Sequence, residues 1–321
     1  MPEQPRSETE DIVRSLATDE RRRDVPPDEA SLYLAAAEAG AAPHEGAARE
    51  RLGLGAWLAL IWLGALITAA LLAPWLPIPD PKNDKAAPAL FSHGPTLAHL
   101  FGLDGIGRDV FSQTIWAARN SLFIGFVSIV IGFLIGGMFG LLGGYFRGRT
   151  GAVLGGTTDI LLAFPPLVLA LTIVAVFDQG LLQVTIALAI VSIPILARIT
   201  RASTLTWSDR EFVLAARAQG GKHPRLMFRE ILPNVLPAMF SIALLGIAVV
   251  IVAEGGLAIL GAGVGPGTLT WGTMIAAGQS ELRTAPHIVL FPCVMIFLTV
   301  LSLNYVGDVV RKRFDVRESG L

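Results

Sequence analysis

The sequence predicts an all-α integral membrane protein with six spanning helices and a short helix in the loop between the fourth and fifth. Three observations lead to this prediction. The mean hydropathy is +0.60 and only 16% of residues are charged. Several apolar segments exceed the roughly 18 residues that a helix needs to cross a bilayer. Basic residues concentrate in alternate loops, as in proteins that cross a membrane several times.

The first fifty residues differ in composition from the rest of the chain. They contain twelve acidic residues against six arginines and are rich in Ala and Pro. We expect residues 1–50 to form a mostly disordered cytoplasmic tail, because such a segment cannot bury enough apolar surface to fold. A signal peptide is not predicted, since the first apolar run begins only near Leu54. Residues 51–120 would then hold the first span and the lead-in to the second, and residues 121–318 the membrane core.

Six apolar runs define the predicted spans. They are Leu54–Trp75, Ser121–Tyr145, Ala152–Phe177, Leu181–Thr200, Val235–Leu260 and His287–Val310. Prolines at 165, 166, 194, 237 and 292 lie in these runs and are expected to bend or interrupt the helices. A broken helix can also line a solute pathway, and proline alone does not separate the two interpretations.

Basic residues predict the orientation of the spans. Arg49 and Arg51 precede the first span, and further arginines or lysines follow the second, fourth and sixth. The loops on the opposite side of the membrane carry few basic residues. The positive-inside rule therefore predicts cytoplasmic termini and a cytoplasmic loop at residues 206–232.

This loop is polar, net basic and rich in helix signals. Ser208 and Glu211 have the spacing of a capping box, which would begin a helix. The Gly220-Gly221 pair can end a helix in the left-handed conformation, and Pro224 suits the first turn of another. The loop is interpreted either as a surface helix against lipid headgroups or as a docking element for a soluble partner.

The second span contains a ladder of glycines with a four-residue spacing. The ladder consists of Gly132, Gly136, Gly140 and Gly144. Four small residues on one helix face let another backbone approach closely over about three turns. We therefore expect tight helix packing here, within the chain or with a second membrane subunit.

Two acidic residues lie within the predicted spans. Asp159 is near the cytoplasmic end of the third span, where it would either have a functional role or form an ion pair with Arg198 or Arg201. Glu254 is near the outer end of the fifth, where it would bind a partner, line a pathway or join a hydrogen-bond network. Charge at membrane depth is costly, so both are candidate functional residues.

The sequence contains no catalytic or metal-binding pattern. The single Gly-Lys step, at Gly221, lacks the spacing of a Walker A motif. The five histidines are scattered without ligand spacing, and the one cysteine, Cys293, is expected to pack as a small apolar residue. We predict no enzyme activity, cofactor, metal or nucleic-acid partner, so another chain would supply any energy.

Several segments resemble one family. The loop contains two alanines, then three residues, a glycine and a more distant Leu-Pro step, namely Ala215, Ala216, Gly220, Leu232 and Pro233. This spacing is similar to the EAA motif of the inner-membrane permease subunits of ATP-binding cassette (ABC) importers. The remaining matches are Gly107-Arg108-Asp109 with Ser112, Asp159 with Phe164-Pro165, Glu254 with Trp271-Gly272, and Gly307-Asp308 with Arg311. The pattern departs from the family at Leu214, where Glu is usual, and at Glu230, where Ile is usual.

The resemblance is to the second permease of dipeptide and oligopeptide systems, and it implies a type I importer fold. It implies that a cytoplasmic coupling helix contacts separate ATPase subunits, which bind ATP and Mg. The implied coupling residues are Glu211, Ala215, Ala216, Arg217, Gly220, Lys222 and Arg225. It also implies a second homologous permease, one or two ATPases and an external solute-binding protein. The external residues 82–119 and 261–286 would either dock that binding protein or simply pack as loops.

The implied cargo is a di- or oligopeptide carried across the cell membrane. Nickel chelates, glutathione and other small solutes remain alternatives that this subunit's sequence does not separate. A secondary carrier or channel acting alone is an alternative of another class. It predicts paired ionisable sites at the membrane midplane, which the sequence does not show. A sensor subunit, suggested by the acidic tail, is a further alternative.

Overall fold

The computed structural model describes residues 53–78, 80–81 and 93–318, with side chains described up to Lys312. The predicted acidic tail at residues 1–50 lies outside the described residues. Within the described part, the secondary structure is helical apart from one isolated antiparallel bridge between Leu103 and Asp109.

The helices follow one another with short connections except between the first two. They are α1 (Leu54–Leu72), α2 (Val110–Tyr145), α3 (Arg149–Ala163), α4 (Pro166–Val176), α5 (Leu181–Ser208), α6 (Glu211–Ala218), α7 (His223–Ile259), α8 (Trp271–Gly278) and α9 (His287–Glu318). Within α7, Leu226–Ile231 form a π-helical turn.

Five of these helices are long and apolar enough to cross a membrane: α1, α2, α5, α7 and α9. The pair α3 and α4 passes the same test together but is bent by 88° at the break between them. Counted as one broken span, the pair brings the number to six. The predicted all-α membrane fold is therefore confirmed, with the third span interrupted.

Two consecutive prolines explain the break between α3 and α4. A residue that precedes proline is pushed out of the α region by the pyrrolidine ring, and both Phe164 and Pro165 have extended backbone angles. Pro166 then occupies the first turn of α4, where its missing N–H costs nothing.

Several helices extend beyond the predicted spans. α2 starts at Val110, eleven residues before the predicted Ser121, because the Asp109 carboxylate caps it by accepting a hydrogen bond from the Ser112 N–H at 2.8 Å. α5 and α7 likewise run on through polar residues. Hydropathy marks only the apolar part of a helix, whereas caps and prolines decide where the helix ends.

The glycine ladder of α2 packs against α5 of the same chain. A Cβ atom at Gly136 would lie 2.5 Å from the Ile193 carbonyl oxygen, and one at Gly140 would lie 2.5 Å from the Ala197 carbonyl oxygen. Gly132 and Gly144 meet Ser192 and Thr204 in the same way. The two backbones therefore approach so closely that any side chain on this face of α2 would collide with α5.

Candidate functional site: the polar loop between α5 and α7

The loop at residues 206–232 folds around one buried side chain. Val213, in the middle of α6, is 0% exposed. It packs in a cluster with Tyr145 at the end of α2 and Leu226 at the start of α7. The neighbouring apolar residue Phe212 is instead 43% exposed. A short helix offers too few turns for its pattern to show which apolar residue faces inward.

The Gly220-Gly221 pair ends α6 as predicted. Gly220 has a φ of +82°, which a side chain would strain. Its N–H donates to the Arg217 carbonyl, and the Gly221 N–H donates to the Ala216 carbonyl, both at 3.0 Å. These two bonds form a Schellman motif, which satisfies the last carbonyls of the helix and turns the chain sharply into α7.

The predicted capping box at Ser208 and Glu211 was wrong. Ser208 is the last residue of α5, and its hydroxyl donates to the Leu205 carbonyl within that helix at 3.0 Å. Arg210 is the N-cap of α6, and its side chain makes no capping hydrogen bond. A serine hydroxyl can bond to a preceding carbonyl as readily as it caps a new helix, and the extension of α5 favoured the former.

Polar contacts hold the loop to the end of α2. The Arg147 guanidinium donates to both carboxylate oxygens of Asp209 at 2.6 Å. The hydroxyl of Tyr145 and Nδ1 of His223 are hydrogen-bonded at 2.8 Å. The Arg217 guanidinium lies 5.8 Å from the centre of the Tyr145 ring, within range of a cation–π contact. The start of α7 and the end of α6 are thus both fixed to Tyr145.

The residues assigned to coupling lie largely on the surface of the loop. Six of the seven are exposed and the seventh, Ala216, is half-buried. The exposed six are Glu211, Ala215, Arg217, Gly220, Lys222 and Arg225. Phe212 and Leu214 are also exposed on α6, and Phe228 is exposed on α7. Sequence reasoning missed these apolar side chains as surface residues, although large apolar groups on a polar loop often mark an interface.

The start of α7 departs from regular α-helix next to this surface. Pro224 lies in its first turn as predicted, and the π-helical turn at Leu226–Ile231 follows. Pro233 has no N–H to donate to the carbonyl one turn earlier, and the Asn234 side chain donates to the Glu230 carbonyl at 2.6 Å. Such π-helical turns are frequent at functional sites.

The two intramembrane acids have different surroundings. The Arg198 guanidinium donates to Oδ1 of Asp159 at 2.6 Å, and both side chains are more than half exposed. Of the two arginines considered as partners, the ion pair is with Arg198. Glu254, in contrast, is 1% exposed, and its Oε1 accepts a hydrogen bond from the Thr270 hydroxyl at 2.7 Å.

The Thr270 contact belongs to a larger network around the segment between α7 and α8. The Thr270 side chain caps α8 together with Thr273. The next residue, Trp271, is fully buried, and it donates from its backbone to the Ser121 hydroxyl and from its ring to the Thr114 carbonyl, both at 3.0 Å. The segment before α8 is therefore bonded to both α7 and α2.

A cavity of about 1720 Å³ opens beside this segment. Trp116, Arg119 and Phe123 of α2 line it, together with Ile67 of α1 and the glycine-rich residues 265–269. Among the described residues, no group of three or more His, Cys, Asp or Glu side chains is placed to hold a metal ion.

Comparison with known proteins identifies the family. Residues 128–319 match the family described as binding-protein-dependent transport system inner membrane component. The chain is 38% identical over 265 residues to the di/tripeptide transport system permease protein DppC of Pseudomonas aeruginosa, covering 81% of this chain and 88% of that protein. It is 37% identical over 224 residues to the glutathione transport system permease protein GsiD of Pectobacterium atrosepticum, covering 70% and 74%.

The fold is similar to that of a solved transporter. The inward-facing MetNI methionine ABC transporter superposes with a TM-score of 0.54 at 18% identity, covering 63% of this chain and 96% of the matched one. The membrane helices, the family match and the related permeases all indicate the same kind of protein. The chain belongs to the binding-protein-dependent transport system inner membrane component family and is a multi-pass permease subunit of an ABC importer.

Proposed function

We propose that this permease carries short peptides, of the size of di- and tripeptides or glutathione, into the cell in an ATP-driven complex. The relatives that support this proposal are described as di/tripeptide and glutathione permeases. Glutathione is itself a tripeptide, so both descriptions share one cargo chemistry: a short chain with a free ammonium group and free carboxylates.

The observation that carries the mechanism is the exposed surface of α6. Its small residues, Ala215 and Gly220, leave room for a partner backbone, while Phe212 and Leu214 offer apolar area that water does not favour. Basic residues at 217, 222 and 225 would meet acidic groups on the partner. These features suit a soluble ATPase subunit that closes and opens as it turns over ATP.

The link between this surface and the membrane is short. Only the four residues from 219 to 222 separate α6 from α7, which then continues without a chain break for 37 residues. A displacement of α6 would therefore be passed directly to a membrane helix. A second homologous permease, an ATPase pair and an external binding protein complete the proposed complex, with both termini of this chain in the cytoplasm.

Replacing Gly220 with Trp tests the coupling role. The positive φ of Gly220 strains any side chain, and a Trp would project from the surface proposed to contact the ATPase. We expect Gly220→Trp to insert normally but to reduce both the recovery of ATPase subunits and ATP-dependent uptake, the latter by tenfold or more. The readouts are co-purification and dipeptide uptake in vesicles.

Gly267→Trp is the matched control. Gly267 also has a φ of +82° and no atom within 4 Å of its would-be Cβ, but it precedes α8 in the segment predicted to lie outside. This variant should retain the ATPase subunits. Equal recovery of ATPase and equal uptake in Gly220→Trp and wild type would contradict the coupling role of α6.

A further inference from the structure

The Asp159–Arg198 ion pair joins α3 and α5 in the half of the membrane region that is assigned to the cytoplasmic side. Asp159 is ten residues from the start of α3, and Arg198 is ten residues from the end of α5. At 1.5 Å per residue, both side chains are about 15 Å from the helix ends assigned to the cytoplasm. Their side chains are 62% and 61% exposed in the isolated subunit.

This charged surface is not suited to contact with lipid. Charged side chains at membrane depth face the interior of a bundle or a water-filled cavity, because hydrocarbon cannot solvate them. The break between α3 and α4 follows Asp159 by about one turn, and residues 163–168 around it are exposed. Irregular backbone is tolerated at this depth only beside protein or water. Two separate features thus indicate that this face does not contact lipid.

We propose that Asp159 and Arg198 line the translocation pathway and bind the charged ends of a peptide in transit, Asp159 its ammonium group and Arg198 its carboxylate. This inference rests on the proposed function. The pair places one negative and one positive group side by side, and the apolar residues Ile160, Phe164 and Ile195, close to them in sequence, are also exposed. A zwitterionic short peptide has the complementary arrangement.

The geometry requires the ion pair to open when the peptide binds. The termini of a dipeptide are at most about 7 Å apart in an extended chain, whereas the Asp159 and Arg198 atoms are 2.6 Å apart in direct contact. Binding would exchange one internal ionic contact for two with the cargo. In the empty state, the closed pair would keep α3 and α5 together.

Uptake of blocked peptides tests the assignment in the complete transporter, reconstituted with its ATPases and binding protein. The probes are labelled Ala-Ala, N-acetyl-Ala-Ala and Ala-Ala-amide, and the variants are Asp159→Asn and Arg198→Gln. The same binding protein serves every variant, so its own selectivity cancels when each variant is compared with wild type.

We expect Asp159→Asn to lower the uptake ratio of free to acetylated peptide about tenfold, the effect of losing one charge-assisted hydrogen bond, with the ratio of free to amidated peptide unchanged. Arg198→Gln should do the reverse. Variants that change uptake of all three probes by the same factor, or not at all, would show that the pair is only structural. A wild-type complex that carries no Ala-Ala would instead overturn the proposed function.

Cysteine labelling provides an independent test of the pathway location. In a Cys293→Ala background, the Asp159→Cys variant in the assembled complex should react with a charged, water-soluble thiol reagent, and Ala-Ala uptake conditions should slow the reaction. Ile61→Cys, on the exposed apolar face of α1, is the control that should not react. An Asp159→Cys complex that does not react would place the site against the second permease and contradict the proposal.

Discussion

At the scale of single residues, close backbone contact sets the strictest requirements. The four glycines of α2 lie where even a methyl group would strike the backbone or Cβ atoms of α5. Gly272 is similar, because a Cβ there would come within 2.7 Å of the Gly255 Cα and 2.8 Å of the Glu254 carboxylate. The spacing of the α2 glycines predicted close packing, but only the structure shows that the partner is α5 rather than a second subunit.

Gly136→Leu should destabilise the packing of α2 on α5. The Ile193 carbonyl blocks the new side chain, so one of the two backbones must move, and overpacking of this kind typically costs about 1–3 kcal/mol. Thermal unfolding of the purified protein in detergent measures the effect as a lowered midpoint.

Gly64→Leu, at a site with nothing within 4 Å on α1, is the matched control for this prediction. It should keep or slightly raise the midpoint, because Leu favours helix more than Gly does. A Gly136→Leu protein as stable as the Gly64→Leu protein would show that the ladder is not tightly packed.

At the scale of helices, the C-terminal end of α7 is bonded to the segment that begins α8. Oε1 of Glu254 accepts from Thr270, whose side chain also caps α8. Asn120 of α2 donates to the Leu269 carbonyl at 2.7 Å. These bonds make α8 part of the same packed unit as α2 and α7, so that movement of α7 would displace α8 as well.

Removing the Glu254 acceptor should loosen α8. Glu254→Leu leaves the buried Thr270 hydroxyl without this acceptor, at a cost of about 1–3 kcal/mol, and amide hydrogen exchange in Trp271–Gly278 should become faster. Glu254→Gln keeps a carbonyl oxygen in place and should change exchange much less. Identical exchange in the Leu variant and the wild type would mean that the bond does not hold α8.

Much of the helical plan could be predicted from the sequence, whereas its local details could not. Apolar runs identified the spans, and Pro165-Pro166 marked the interruption of the third. The 88° angle between α3 and α4 could not be predicted from hydropathy. The Gly220 cap was predictable because glycine has a specific backbone preference. Two details depend on how helices distant in sequence pack together: the burial of Val213, and the pairing of Asp159 with Arg198 rather than Arg201. Hydrophobic periodicity within a single sequence does not show such packing.

At the scale of the whole molecule, the described helices connect two proposed partner surfaces. The α6 surface lies at one end of α7, and the segment bonded to Glu254 lies near the other end. In the proposed complex, motion of the ATPase at α6 would pass along α7 to the segment before α8. We therefore expect this subunit to work only as part of a complex that supplies the ATPase.

Mild-detergent purification of the tagged full-length chain from its native membrane, followed by mass spectrometry, tests this claim most directly. We expect recovery of a second homologous permease and one or two ATPase subunits, and loss of the ATPases from the Gly220→Trp protein. Recovery of a correctly inserted chain alone, or only as copies of itself, would contradict the account and favour a carrier that works without an ATPase.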